Sequence, residues 1–208
     1  MTLFGYWRSS STWRVRIVLE EKGLSFDTVP VNLLHGAHLD DTHRARNPLG
    51  QVPALAIDGG VTLIQSVAIM EYLDQVHPSP PMLPADAIGR AQVRSMVEVV
   101  NSGIQPLQNL AVLKAIEASG GDRVAWSTRW IGKGLAALEA LASDDGPWLH
   151  NHGPTLAEAC LIPQLYNARR FKMDLSAYPK LLACEAACMA RPAFQRSHPD
   201  QQPDAVVA

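Results

Sequence analysis

Four hydroxyl-bearing residues in a row, Ser9, Ser10, Ser11 and Thr12, stand between an apolar run at Leu3 to Tyr6 and a helical pattern that stops at Lys22-Gly23. Side chains of this type accept hydrogen bonds from the first amides of a helix, so a helix start is expected here. The outward amides and the positive end of the helix dipole favour an anion, and any serine not used as a cap can donate its hydroxyl to it. The chemistry this predicts is the holding of an oxyanion or a thiolate. The plainer reading is that the serines only cap the helix.

Two later stretches carry similar potential. In Asn47-Pro48-Leu49-Gly50-Gln51-Val52-Pro53-Ala54-Leu55 two prolines bracket a glycine, and Pro53, which cannot donate to a sheet, belongs at a strand start or turn, where a cis bond after Val52 is allowed. Gln65-Ser66 precedes an apolar helical pattern running to Val76, and its side chains read as helix caps. The polar loop from Asn32 to Asn47 carries His35, His38 and His43 with Asp40 and Asp41. Their spacing matches no zinc or iron pattern, so solvated histidines are expected rather than a metal.

The elements that must position these residues follow from periodicity. Thr2 to Tyr6 suits a strand, Val15, Val18 and Leu19 recur at helical spacing until Gly23, and Phe26 to Val31 suits a second strand, giving a βαβ unit with parallel pairing. Ala54 to Ile57 and Val61 to Ile64 flank Asp58-Gly59-Gly60 as a hairpin, followed by the helix to Val76. A compact α/β domain, βαβαββα with a mixed sheet, is therefore predicted over residues 1–80. Four prolines between His77 and Pro84 break helix and sheet alike and mark a boundary.

Beyond it only helical patterns occur, at Ile88 to Gln108, Leu110 to Ala118, Arg123 to Ala142, Thr155 to Arg169 and Pro179 to Arg191, so residues 87–208 should form an all-α domain. Thr155-Leu156-Ala157-Glu158 has the form of a capping box. The tail from Ser197 to Ala208, rich in Pro, Gln and Asp, is expected to be loose at its end.

Composition narrows the function classes. With 208 residues, 47% hydrophobic content and a net charge of -2, the chain can bury real cores and has no bulk attraction for nucleic acid or an anionic membrane. No charged leader with an apolar core opens the sequence, and no segment holds eighteen unbroken apolar residues, so a cytoplasmic protein without a membrane partner is expected. Cys160, Cys184 and Cys188 lack CxxC spacing and fall in helical patterns, as packed, reduced thiols do.

A domain of this α/β order, a proline-rich linker and an all-α domain resemble the cytosolic glutathione transferases, a thioredoxin-like fold followed by a helical bundle. Arg8-Ser9-Ser10-Ser11-Thr12-Trp13-Arg14-Val15-Arg16-Ile17 resembles the zeta-class pattern R-S-S-C-S-x-R-V-R-I, and Gln51-Val52-Pro53 with Gln65-Ser66 is similar to the glutathione-holding segments. Ser102 to Leu110 and Asn167 to Leu175 are similar to helices that line the zeta-class site. The resemblance spans Leu3 to Asp204.

What the resemblance implies is specific. Glutathione would be the cofactor, and its thiolate would add to a cis double bond, permit rotation and leave, as in the maleylacetoacetate isomerases of this class and the related maleylpyruvate isomerases. Ser9 would donate to the sulfur, with Ser10 and Ser11 adding to the field. Val52 and Pro53 would pair with the cysteinyl part, Gln65 and Ser66 would take the γ-glutamyl carboxylate, and His38 would lie near the glycyl end. Gln105 and Asn109, four apart and so on one helix face, would border the pocket. Arg8 and Arg170 would meet the carboxylates of a dicarboxylate-type substrate, while Arg14 and Arg16 read equally as surface or inter-domain ion pairs. Ser11 departs from the pattern by replacing its cysteine. The resemblance also implies a homodimer. A transferase acting on small α-halo acids, or a non-catalytic binding module, are the alternatives.

Overall fold

The computed structural model describes residues 1–150 and 153–206. Strand β1 (Thr2–Gly5) leads into helix α1 (Ser10–Glu21), then β2 (Asp27–Pro30), a short helix α2 (Asp41–Arg44), the hairpin β3 (Ala54–Ala56) and β4 (Thr62–Ile64), and α3 (Ser66–Val76). The sheet order is β2-β1-β3-β4, with β1 and β2 parallel and the other pairs antiparallel. This is the expected thioredoxin-like mixed sheet. Gly5 lets α1 lie close on β1, since a Cβ there would fall 2.2 Å from Thr12 Cγ2.

Helix α1 is buried from Thr12 to Leu19, including both arginines. It ends at Lys22, with Gly23 at φ 61 just beyond, a conformation that favours glycine. The Lys22 side chain turns inward with 0% exposure and donates to Asp74 Oδ1 at 2.8 Å, His77 O at 2.7 Å and Pro80 O at 2.9 Å. Its three protons thus tie the end of α1 to α3 and to the chain that follows α3.

The second compact unit spans Met82–Met189 and is helical: α4 (Ala87–Asn101), α5 (Leu110–Ala118), α6 (Arg123–Leu141), α7 (Leu156–Arg170) and α8 (Pro179–Met189). Helix α4 packs on α6 and α7. It stops at Asn101, not Gln108, because Pro106 has no amide to donate to Ser102 and its ring would clash there; a 3-10 turn over Gln105–Gln108 follows. The capping box at α7 is present and buried: Glu158 Oε2 accepts from the Thr155 amide at 2.7 Å and hydroxyl at 2.6 Å, and Oε1 accepts from the Leu149 amide at 2.7 Å. Burial pushes the Glu158 carboxyl above its ordinary value, while the Thr155 and Leu149 donors pull it back.

The end of the chain departs from expectation. A further helix α9 (Pro192–Ser197) follows α8, and the chain from Ala190 onward belongs with Met1–Pro81 rather than with the helices before it. The physical reason is a set of polar anchors on α1. Trp13 Nε1 donates to Ser197 Oγ at 3.1 Å, Arg191 grips Glu21 at 2.7 and 2.6 Å, and Arg196 Nε donates to Glu20 at 2.7 Å. Asp204 ties the tail to the start of the chain, its Oδ2 accepting from the Trp7 amide at 3.2 Å; the end expected to be loose, residues 207 and 208, lies outside the described residues.

Candidate functional site

Sheet register gathers the site. Phe4 of β1 pairs with Ala54 of β3, which pairs with Ile64 of β4, so the segments just beyond these three residues emerge at one end of the sheet. Beyond Phe4 lie Tyr6 to Ser9, before Ala54 lie Val52-Pro53, and after Ile64 lie Gln65-Ser66. Gly5 pairs with Pro30, so the loop after β2, which holds His38, leaves from that end as well.

Ser9 is the N-cap of α1, and its Oγ accepts from the Thr12 amide at 3.3 Å. The capping reading and the anion reading are compatible, because an oxygen that accepts from an amide keeps its own proton to donate. Ser10 and Ser11 occupy the first two helical positions. The Arg8 guanidinium lies over the Trp7 ring, 4.9 Å from its centroid.

Gln65 stands at the start of α3 with φ 71 and ψ 115, a conformation rare for a residue with a side chain, and it makes no side-chain cap bond. The expected capping by Gln65 and Ser66 is therefore not what their side chains do: Ser66 Oγ instead accepts from Arg14 Nη1 at 3.3 Å. The uncapped amides at the start of α3 suit an external carboxylate. The hydrogen bond from Arg14 ties the starts of α1 and α3 together.

The Gln51-Val52-Pro53 turn is built from the preceding loop. His43 Nε2 and Asn47 Nδ2 both donate to Gln51 O, each at 2.8 Å, and the Val52-Pro53 bond is cis. His43 is thus a buried structural residue rather than a solvated one, 3% exposed. Gly50, at φ 59, lies where a Cβ would come within 3.0 Å of His38 O, which brings the His38 segment against the turn. Among the described residues no three His, Cys, Asp or Glu side chains cluster to hold a metal.

Arg14 and Arg16 are not surface groups; they are 0% and 1% exposed. Arg16 Nη2 donates to Trp7 O at 2.7 Å and Nε to Ser197 O at 3.1 Å. Burial pushes its guanidinium down to about 10, against the pull of Asp204, so it stays charged at neutral pH.

Gln105, Asn109 and Arg170 belong to the second unit. Gln105 opens the 3-10 turn and Asn109 caps α5, its Oδ1 accepting from the Ala111 amide at 3.1 Å, so the two do not share one α-helix face. Arg170 is exposed in the last turn of α7, and its Nη1 donates to Asn167 Oδ1 at 3.3 Å.

The first unit can therefore hold a small peptide thiol. A strand-edge turn suits its backbone, one helix start its carboxylate and another its sulfur. Holding a thiol ionised two units below its ordinary pKa takes about 2.7 kcal/mol. A hydrogen bond to a charged group gives about 1.5 to 3 kcal/mol, and a partly buried helix start up to ~2 kcal/mol. Together they suffice without a general base.

Comparison with known proteins bears on the fold and the family. The family model described as "Glutathione S-transferase, N-terminal domain" matches residues 1–75. Maleylacetoacetate isomerase of Pseudomonas aeruginosa is 43% identical over 213 residues, covering 100% of both chains. Among solved structures, the holo form of maleyl pyruvate isomerase, a bacterial glutathione S-transferase in zeta class, superposes with TM-score 0.95 at 41% identity, covering 99% of this chain and 100% of that one. Maleylacetoacetate isomerase from Anaeromyxobacter dehalogenans, with glutathione bound in its active site, gives TM-score 0.90 at 48% identity over 99% and 97% of the two chains. The same enzyme has been solved with dicarboxyethyl glutathione and citrate in its active site, at TM-score 0.88 and 46% identity over 99% and 93%.

Proposed function

This chain belongs to the zeta-class glutathione transferases, the family of the maleylacetoacetate isomerases, and on that premise we propose that it is a glutathione-dependent isomerase converting maleylacetoacetate to fumarylacetoacetate in tyrosine and phenylalanine breakdown. The observation that supports this most is the convergence of Ser9, Val52-Pro53 and Gln65-Ser66 at one end of the sheet. When bound, glutathione supplies a thiolate that adds reversibly to the cis double bond, allowing it to turn as a single bond.

The chain's own residues prepare that chemistry. Ser9 donates its hydroxyl to the sulfur, while Ser10, Ser11 and the first amides of α1 add positive potential. Val52 and Pro53 meet the cysteinyl backbone, His38 the glycyl end, and Gln65 with Ser66 the γ-glutamyl carboxylate. Arg8, next to the serines, takes a carboxylate of the substrate as a planar, charge-assisted partner, and the zeta-class resemblance gives Gln105, Asn109 and Arg170 of the second unit as the further candidates for ligand contact. The protein acts as a cytoplasmic homodimer.

The match to the maleyl pyruvate isomerase structure favours maleylpyruvate as a second substrate candidate. An α-halo-acid transferase would use the same thiolate but consume it. The discriminating experiment follows isomerisation of maleylacetone by ultraviolet absorbance with and without glutathione while counting total thiol. The proposal expects a glutathione-dependent rate at constant thiol. A rate independent of glutathione, or thiol lost in step with turnover, overturns it.

A further inference from the structure

Trp7, two residues before Ser9, has both of its backbone polar groups held from outside the β1–α1 turn. Its amide donates to Asp204 Oδ2 at 3.2 Å, and its carbonyl accepts from Arg16 Nη2 at 2.7 Å. Arg16 in turn donates through Nε to Ser197 O at 3.1 Å. The turn closes on itself through the Ser9 amide, which donates to Tyr6 O at 3.0 Å. Residues 197 and 204 therefore reach across the chain to the segment that sets the direction of the Ser9 hydroxyl.

We infer that the C-terminal strap, through Asp204, is a positioning device for the Ser9 turn: the carboxylate fixes the Trp7 amide, Arg16 fixes the Trp7 carbonyl, and the two together aim Ser9. The inference rests on the assignment of Ser9 to the glutathione sulfur. The strap itself is held by the Ser197 contacts and by the Arg191–Glu21 and Arg196–Glu20 pairs, so loss of Asp204 alone leaves it seated. A turn held at one backbone group instead of two has room to rotate, and a donor displaced by a fraction of an ångström loses much of its effect on a charged acceptor.

The test compares native protein with Asp204→Ala and Asp204→Asn, the second of which keeps an oxygen able to accept from the Trp7 amide. Thermal unfolding is recorded for each, so that kinetics and exchange are read where all three are folded. Asp204→Ala is expected to lower kcat/KM for maleylacetone at least about fivefold, or roughly 1 kcal/mol, to raise the pH of the acid limb of that profile, and to speed amide hydrogen exchange in the peptide containing Trp7 and Ser9. Asp204→Asn is expected to stay within about twofold of native. Native kinetics and exchange in Asp204→Ala, or a loss in Asp204→Asn as large as in Asp204→Ala, overturn the inference. If the native chain shows no isomerisation at all, the assignment of Ser9 fails instead, and exchange at the Trp7 amide still decides whether Asp204 holds the turn.

Discussion

Replacing Lys22 with methionine tests the packing that seats α1. The side chain is 0% exposed, its ion-pair partner Asp74 is 8% exposed, and its three protons are used on Asp74, His77 O and Pro80 O. Methionine fills much of the same volume but takes the ammonium away from a buried carboxylate, which costs about 3–5 kcal/mol. The two carbonyls cost less than their full ~1–3 kcal/mol each, because His77 and Pro80 lie near the surface and water can replace the donor. A loss of at least about 3–5 kcal/mol is therefore expected, read by urea unfolding at constant m-value. The double variant Lys22→Met with Asp74→Leu should recover most of it, since neither charge of the pair then remains buried. A loss below about 1 kcal/mol, the range of an exposed ion pair, would refute the reasoning.

Other consequences are as direct. Glu158→Gln presents an amide where the backbone of Leu149 or Thr155 donates, and should cost about 2–3 kcal/mol of stability by urea titration; native stability would show that the capping box is idle. Gln65→Gly relieves the left-handed backbone at φ 71 and should raise stability by about 0.5–1 kcal/mol while weakening glutathione binding severalfold by calorimetry. Burial holds His198 below its ordinary 6.5, with Asp200 opposing and Arg16 assisting. The unfolded chain then takes up the proton first, so stability is full above that value and falls as pH drops through it; a His198→Gln variant should show a flatter melting temperature over the same range. Because Ser11 stands where the zeta pattern has cysteine, alkylating reagents should inactivate this chain more slowly than its Ser11→Cys variant.

The sheet, the hairpin and the start of α1 were legible because each is written in local signals, hydroxyl clusters, prolines and paired glycines; that Ser9, Val52-Pro53 and Gln65-Ser66 share one end of the sheet follows from strand register, which those signals do not carry. The sequence was poor at long-range polar contacts. Arg14, Arg16 and Lys22 find their partners Ser66, Ser197 and Asp74 in distant segments, which no local pattern announces. His43 looked idle for the same reason, its acceptor being set by the fold of the turn after it. The break at Pro106 was visible in the residue itself, yet the apolar periodicity on either side masked it and put Gln105 and Asn109 on a single helix. The strap from Ala190 onward is held by hydrogen bonds and ion pairs to α1, and a segment rich in proline and glutamine gives no periodic sign of such anchoring.

The central claim is that Ser9, at the start of α1, holds the sulfur of glutathione as a thiolate. The most direct measurement is the pH titration of thiolate absorbance for glutathione bound to the native chain and to Ser9→Ala. The native complex should titrate about two units below free glutathione, and Ser9→Ala should give back at least one unit, or about 1.4 kcal/mol. Identical titrations in the two proteins would contradict the account.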